Sequence, residues 1–208
     1  MNFLSAHCLL SPFTTDVLNS CQPFLCGSED MDEFFAKDFA DYSHYLMGKS
    51  YCFRLKEDLS RIVCAFTISN DSIRIYDLPR SRRDYMKSIT HHEKRLRRYP
   101  GVLIGRLAVA QEFAHKGIGS ELLTFIKALF SDQDLQTGCR FLIVDAVNSP
   151  DVLRFYEKNG FVFLFTTEQQ EDIYTNPPKD DTDLHYRKQH PNTLQTRLMY
   201  FDLLSLRQ

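Results

Sequence analysis

Apolar residues follow helical spacing in some stretches of the chain and run nearly unbroken in others. Between Ser28 and Leu46, the residues Met31, Phe34, Phe35, Phe39, Tyr42, Tyr45 and Leu46 recur at helical spacing, with Glu29, Asp30 and Asp32 where the positive end of a helix dipole favours acids. A long helix is predicted there. Ile118, Leu122, Leu123, Ile126, Leu129 and Phe130 form a second apolar helix face that ends before a loop at 131–138. Phe141–Val147 is almost continuously apolar, as in a strand buried on both faces. Ser149-Pro150-Asp151 supplies an N-cap, a first-turn proline and an acid, and Asn159-Gly160 supplies a stop, so a helix lies between them. Phe161–Phe165 is a further predicted strand.

Weaker signals fill in the flanks. Phe3–Leu10 suits a first strand and Thr14–Phe24 a short helix, while Tyr51–Leu55 and Arg61–Ser69 are β-rich runs at hairpin spacing. Arg80–Arg98 has few apolar positions and many bases, which predicts a solvated helix closed by Pro100 and followed by a β-run at Val102–Val109. Gln169–Asn192 is polar and proline-containing, hence a loop excursion, before a last strand at Arg197–Leu204. The order β-α-β-α-β in the middle, after a helix and a hairpin, predicts an α/β (α+β) fold, a mixed central sheet with helices on both faces. A length of 208 residues suits a single domain, 1–208, with 169–192 as a polar insertion.

Composition narrows the classes. A formal net charge of −2 and a pI near 6.4 give no global basic balance for nucleic acid or membrane, leaving only local patches. Six cysteines without a CxxC pair, several inside apolar runs, suit reduced, buried thiols. No apolar run reaches the roughly 20 residues that span a bilayer, and Met1-Asn2-Phe3-Leu4 lacks the basic leader of a signal peptide. A soluble cytoplasmic protein with no membrane partner is expected. The stretch HHEKR at His91 lacks HExxH spacing, and no metal site is predicted.

The stretch AHKGIGSELL, 114–123, carries the candidate chemistry. Gly117-Ile118-Gly119 opens a helix just after a strand, which places unpaired N–H groups at the positive end of a helix dipole and makes an anion site. Read alone, it serves equally as a tight corner packing a helix on a strand. Leu122 stands where a Rossmann loop needs its third glycine, and no Gly-Lys-Ser/Thr follows, so neither common nucleotide loop applies.

With its flanks, LIGRLAVAQEFAHKGIGSELLTFIKALF followed by CRFLIVDAVNSPDVLRFYEKNGFVFL resembles the GNAT superfamily of acyl-CoA-dependent N-acetyltransferases. The first part resembles the signature Gln/Arg-x-x-Gly-x-Gly/Ala, and the second the Asn...FYEKNGF helix and strand. Ala114 departs from the signature, whose first position is glutamine or arginine. The resemblance implies that Leu107, Ala108 and Val109, at a bulge ending the strand, bond the acetyl carbonyl and pantetheine. It implies that the segment Ala114, His115, Lys116, Gly117, Ile118, Gly119 and Ser120 holds the pyrophosphate of acetyl-CoA, the cosubstrate. Asn148, Asp151 and Phe155 would line the cofactor, and Tyr156 would protonate the departing thiolate. Without it, Leu107–Val109 read as core, Asn148 as a turn former and Tyr156 as a packing tyrosine.

FLCGSEDMDEFF and RRYPGVLIGRLAV are similar to a GNAT subgroup containing toxins that acetylate the amino group of aminoacyl-tRNA. An α-amine, with an ordinary pKa near 7.7–8.0, needs less help from a base than lysine at about 10.4, which favours such an acceptor. Arg80, Arg82, Arg83, Lys87, Lys94, Arg95, Arg97 and Arg98 form a basic segment, 80–98, able to hold RNA phosphates or to serve only as a solvated helix face. A polyamine acetyltransferase, or a non-catalytic CoA- or tRNA-binding regulator of the same fold, are the alternatives. The apolar LMYFDLL of the last strand can pair across a homodimer.

Overall fold

In the computed structural model, residues 2–90, 97–132 and 137–207 are described. Lys94, Arg95 and the HHEKR stretch lie outside them. The elements are α1 (Phe3–His7), β1 (Cys8–Pro12), α2 (Thr15–Ser20), α3 (Glu29–Glu33), a π-helical segment Phe34–Asp38, α4 (Phe39–His44), β2 (Lys49–Leu55), β3 (Ile62–Arg74) and α5 (Arg80–Thr90). They continue as β4 (Arg98–Val109), α6 (Ile118–Ser131), β5 (Phe141–Val147), α7 (Pro150–Lys158), β6 (Val162–Phe163), α8 (Glu168–Thr175), α9 (Asp181–Gln189) and β7 (Thr196–Asp202). The strands form a seven-stranded mixed sheet in the order β1-β2-β3-β4-β5-β7-β6.

The chain divides into two compact units, each built from two segments. The first, Met1–Asn70 with Leu103–Leu135, contains the antiparallel β1, β2 and most of β3, the later part of β4, and α1–α4 and α6. Val63, Cys64, Ala65 and Phe66 are fully buried on β3, and Leu122, Leu123 and Ile126 are fully buried on α6. Phe13 meets Phe35 and Phe39 edge-on, and Phe24 meets Phe35 in the same way. The predicted long helix is interrupted by its π segment, which shifts the buried face by one residue, so that Phe34, Phe35 and Phe39 all reach the core. Tyr45 and Leu46, expected on that face, instead lie beyond the helix end and are exposed.

The second unit, Asp71–Val102 with Gln136–Gln208, holds the end of β3, the start of β4, and β5, β6, β7, α5 and α7–α9. Phe141–Val144 are buried, as the unbroken apolar run predicts, and β7 lies antiparallel to β5 along its whole length. On its other side β7 pairs with β6 at Met199 and Tyr200.

Four expectations are corrected. Phe3–His7 is helical, because the buried Leu4 docks beside α6 and its N–H bonds Glu121 Oε2 (2.9 Å), so the first strand starts at Cys8. Pro100 lies inside β4 and does not close α5: its carbonyl accepts the Arg140 N–H (2.9 Å), and a strand spends no N–H at proline. Phe161–Phe165 yields only the two-residue β6. The stretch 169–192 is mostly two helices, capped by Thr167 accepting from the Gln170 N–H and Asp180 from the Asp183 N–H. Their polarity hid them, because α8 buries charge: Glu171 Oε2 takes a 2.7 Å hydrogen bond from Arg197 Nε, and Arg187 lies beside Asp172 and Asp183.

Candidate active site

In the first unit β4 ends at Val109, where the Ala110 N–H bonds Val63 O (2.9 Å) and the Gln111 N–H bonds Leu25 O (3.0 Å). Ala108 is buried, and Leu107 and Val109 are half-buried. A 3-10 turn at Gln111–Phe113 buries Phe113, and the Ala114 N–H closes back on Gln111 O (3.1 Å). The chain then takes two left-handed steps, at His115 (φ 58°) and Gly117 (φ 81°), and Gly117 caps α6. The Gly117 carbonyl accepts from both Ser120 and Glu121, which starts the helix ladder.

Among the described residues, the backbone N–H groups of His115, Lys116, Gly117, Ile118 and Gly119 donate to no acceptor. Five successive donors thus stand at the positive end of a 14-residue helix. A Cβ at Gly117 would meet no atom within 4 Å, so the space beside it is open. Left-handed backbone alone makes glycine the fitting residue here. The Lys116 ammonium bonds Glu112 O (2.8 Å) and lies 5.6 Å from the Phe113 ring centre, beside the loop. Such an array fits a diphosphate, which needs many donors and close backbone approach.

Gln22, Pro23, Leu25, Arg61, Ile62, Ala110, Gln111 and Glu112 line a cavity of ≈ 240 Å³ beside the end of β4. Gly27, in the Cys-Gly pair of the first sequence motif, is left-handed (φ 89°), and a Cβ there would stand 2.7 Å from Gln111 Nε2. Gln111, which sequence reading passed over, therefore packs against that motif.

The second unit holds the other candidates. Asn148 follows β5, and its side-chain amide donates to Leu194 O (2.8 Å) while its N–H bonds Gln195 O (2.8 Å), so both donors serve the approach to β7. Ser149 occupies the N-cap of α7 without a side-chain cap bond, and Pro150 takes the first turn. Asp151 is exposed at the helix start, 3.5 Å from Arg154. Asn159 ends the helix and Gly160 (φ 78°) reverses the chain, so the Phe161 N–H reaches back to Tyr156 O (3.0 Å). Tyr156 is thereby held edge-on between the half-buried Phe155 (5.1 Å) and the buried Phe161 (5.4 Å). Its hydroxyl makes no hydrogen bond among the described residues, and burial pushes its pKa up to about 12. The Tyr156 phenol therefore keeps its proton at physiological pH.

Burial also pushes up the thiols of Cys8, Cys26, Cys52, Cys64 and Cys139, so none of these five is a ready thiolate nucleophile. Of the basic segment, Arg80 pairs loosely with Asp84 (3.8 Å) and Arg82 bonds Phe163 O (3.2 Å). Arg97 and Arg98 join Arg74 and Tyr76 around a cavity of ≈ 420 Å³. Arg74 and Tyr76 precede the charge run, although the alternation in Ser72-Ile73-Arg74-Ile75-Tyr76 could have found them. No helix among the described residues is long and apolar enough to cross a membrane.

Residues 86–163 match the family model of the acetyltransferase (GNAT) domain. No curated protein matches the sequence significantly. Among solved structures, AtaT complexed with acetyl-methionyl-tRNAfMet superposes with a TM-score of 0.66 at 15% identity, covering 96% of this chain and 97% of that one. A tyrosine-to-phenylalanine mutant of KacT gives 0.67 at 16% identity over 97% and 98% of the two chains. AtaTR bound with acetyl-CoA gives 0.64 at 16% identity over 97% and 96%. The matched segment runs from α5 to β6 and contains both the free N–H array and Tyr156, while the likeness in fold extends over nearly the whole chain. Residues 86–163 thus match the GNAT acetyltransferase domain model, and the fold of the chain is that of these solved structures.

Proposed function

We propose that this protein transfers the acetyl group of acetyl-CoA to the α-amino group of an aminoacyl-tRNA. The observation that carries the reading is the row of five unpaired N–H groups at His115–Gly119, facing open space where α6 begins. The amine acceptor rests on the likeness to AtaT, solved with an acetylated aminoacyl-tRNA, and on the Cys26-Gly27 and Tyr99-Pro100 motifs. Tyrosine-to-phenylalanine mutants among the neighbours support assigning the acid to Tyr156.

In this reading Ala114–Ser120 hold the pyrophosphate by backbone donors, with the charge of His115 and Lys116 beside them. Leu107–Val109 contact the acyl end through the backbone of β4, whose N–H groups stabilise the oxyanion. Asn148, Asp151 and Phe155 flank the cofactor arm. The amine nitrogen attacks the thioester carbonyl, the C–N bond forms and the C–S bond breaks. Tyr156 gives its hydroxyl proton to the departing sulfur, and the proton released by the amine restores the phenol. The basic segment 80–98 contributes phosphate contacts.

Acetyl transfer from labelled acetyl-CoA to total aminoacyl-tRNA, run beside a polyamine panel, tests the assignment. Labelled aminoacyl-tRNA is expected. Acetylated polyamines in its place would make the protein a small-amine acetyltransferase, and thermal stabilisation by acetyl-CoA without transfer to any amine would make it a binding regulator. The absence of any stabilisation at saturating acetyl-CoA would overturn the cofactor assignment itself.

A further inference from the structure

The ends of β3 and β4 in the second unit form a basic hollow that the acyl chemistry does not use. The Ile75 N–H bonds Arg97 O (3.1 Å), which fixes the 74–76 segment beside 97–98. Ile75 and Tyr99 are buried, whereas Arg74 at the end of β3 and Tyr76 in the 3-10 turn Ile75–Asp77 are exposed. Arg74, Tyr76, Arg97 and Arg98 thus line one cavity of ≈ 420 Å³, within the range of about 300–1,000 Å³ that ligand sites occupy. The Tyr76 ring is exposed, with Lys87 Nζ 6.0 Å from its centre.

In a chain of net charge −2, this hollow gathers three guanidinium groups. Guanidinium forks match phosphate oxygens in pairs, and an open phenol face stacks any nucleobase. Unpaired RNA offers both partners one nucleotide apart, whereas an acidic protein surface offers only the charge.

We propose that this hollow binds a phosphate and a stacked base of a single-stranded RNA segment. The proposal rests on the aminoacyl-tRNA reading and gives that acceptor an anchoring point beyond its reacting end. Arg74 and Tyr76 extend the contact outside the 80–98 segment.

The test is fluorescence anisotropy of the full chain with a short labelled single-stranded RNA, titrated at several salt concentrations. The variants are Arg97→Gln with Arg98→Gln, Tyr76→Leu, and Lys37→Gln, an exposed lysine of the first unit paired with Glu33. The double arginine variant is expected to bind at least about tenfold more weakly and to lower the salt slope by roughly one to two. Tyr76→Leu is expected to weaken binding about tenfold with the slope unchanged, because stacking releases no counterion. Lys37→Gln should change neither. Acetyl-CoA stabilisation retained in all three shows that they fold and that the cofactor site is intact. Equal affinity across all variants, an effect of Lys37→Gln as large as that of the arginine pair, or capture of an acidic peptide where RNA fails, each overturns the proposal. A failure of acetyl transfer to charged tRNA would refute the proposed reaction and leave this binding result readable by itself.

Discussion

Tyr156→Phe removes one oxygen from a residue that is only 9% exposed, and the structure separates its effects on folding and on chemistry. The edge-on contacts with Phe155 and Phe161 involve the ring and survive in phenylalanine. Its hydroxyl has no hydrogen-bond partner among the described residues, so deleting it leaves no orphaned donor or acceptor behind. Stability should therefore change by less than about 1 kcal/mol, and Tm by no more than about 2–4 °C for a chain of this size. General-acid catalysis contributes typically 10²–10⁴-fold, so kcat should fall by about that factor, equivalent to roughly 3–5 kcal/mol of barrier. Release of free CoA thiol under saturating acetyl-CoA and acceptor reads kcat directly, and thermal shift with acetyl-CoA shows that the cofactor still binds. The pH profile gives a second check. Burial holds the Tyr156 pKa near 12, so the phenol keeps its proton across the working range. The rate should rise through pH 8 as the α-amine loses its proton, then stay level to at least pH 10. A variant within threefold of the parent in kcat, or a descending limb in the parent near pH 9, refutes the role given to Tyr156.

Gly117→Ala should lower Tm by roughly 2–8 °C, since a left-handed alanine costs about 1–2 kcal/mol and its methyl meets no neighbour. The same change should weaken acetyl-CoA binding at least about tenfold by calorimetry, and unaltered affinity would remove the loop from the cofactor site. Ala114→Gln restores the side chain that the GNAT signature carries and should tighten acetyl-CoA binding several-fold, with an unchanged or weaker Kd counting against the loop assignment. Arg197→Met leaves Glu171 buried without its charged partner, which should cost about 3–5 kcal/mol at pH 7. Burial already raises the Glu171 pKa, against the pull of Arg197. A raised folded-state pKa makes protonation favour the fold, so the lost stability should return as pH falls towards 5 in thermal melts, and a variant that melts lower at pH 5 than at pH 7 would contradict the pairing.

Local rules were enough wherever one physical cause dominated. Phe141–Val147 is a strand to the residue, and its apolar run matches the burial of Phe141–Val144, while Asp145 and Val147 are exposed. The stretch 150–160 followed from proline at the first turn and glycine at the reversal, both of which act on φ directly. The free donors at 115–119 could be anticipated, but the left-handed turn at His115 could not, since histidine carries no strong preference for it. What stayed hidden depended on partners distant in sequence. Glu171 is a core residue only because Arg197, 26 positions later, neutralises it, and periodicity counts such a residue as surface. Arg74 and Tyr76 become one surface with Arg97 and Arg98 through the neighbouring strands β3 and β4 and the Ile75–Arg97 hydrogen bond.

His115 and Gly117 both hold left-handed conformations in the loop that opens α6. A proposed cradle that keeps this backbone shape throughout would lose little ordering entropy on capture of the nucleotide. Association should then proceed in a single fast phase linear in acetyl-CoA concentration, without the plateau that a slow rearrangement of the loop would impose. Differences in affinity among loop variants that keep this shape would appear in how long the cofactor stays.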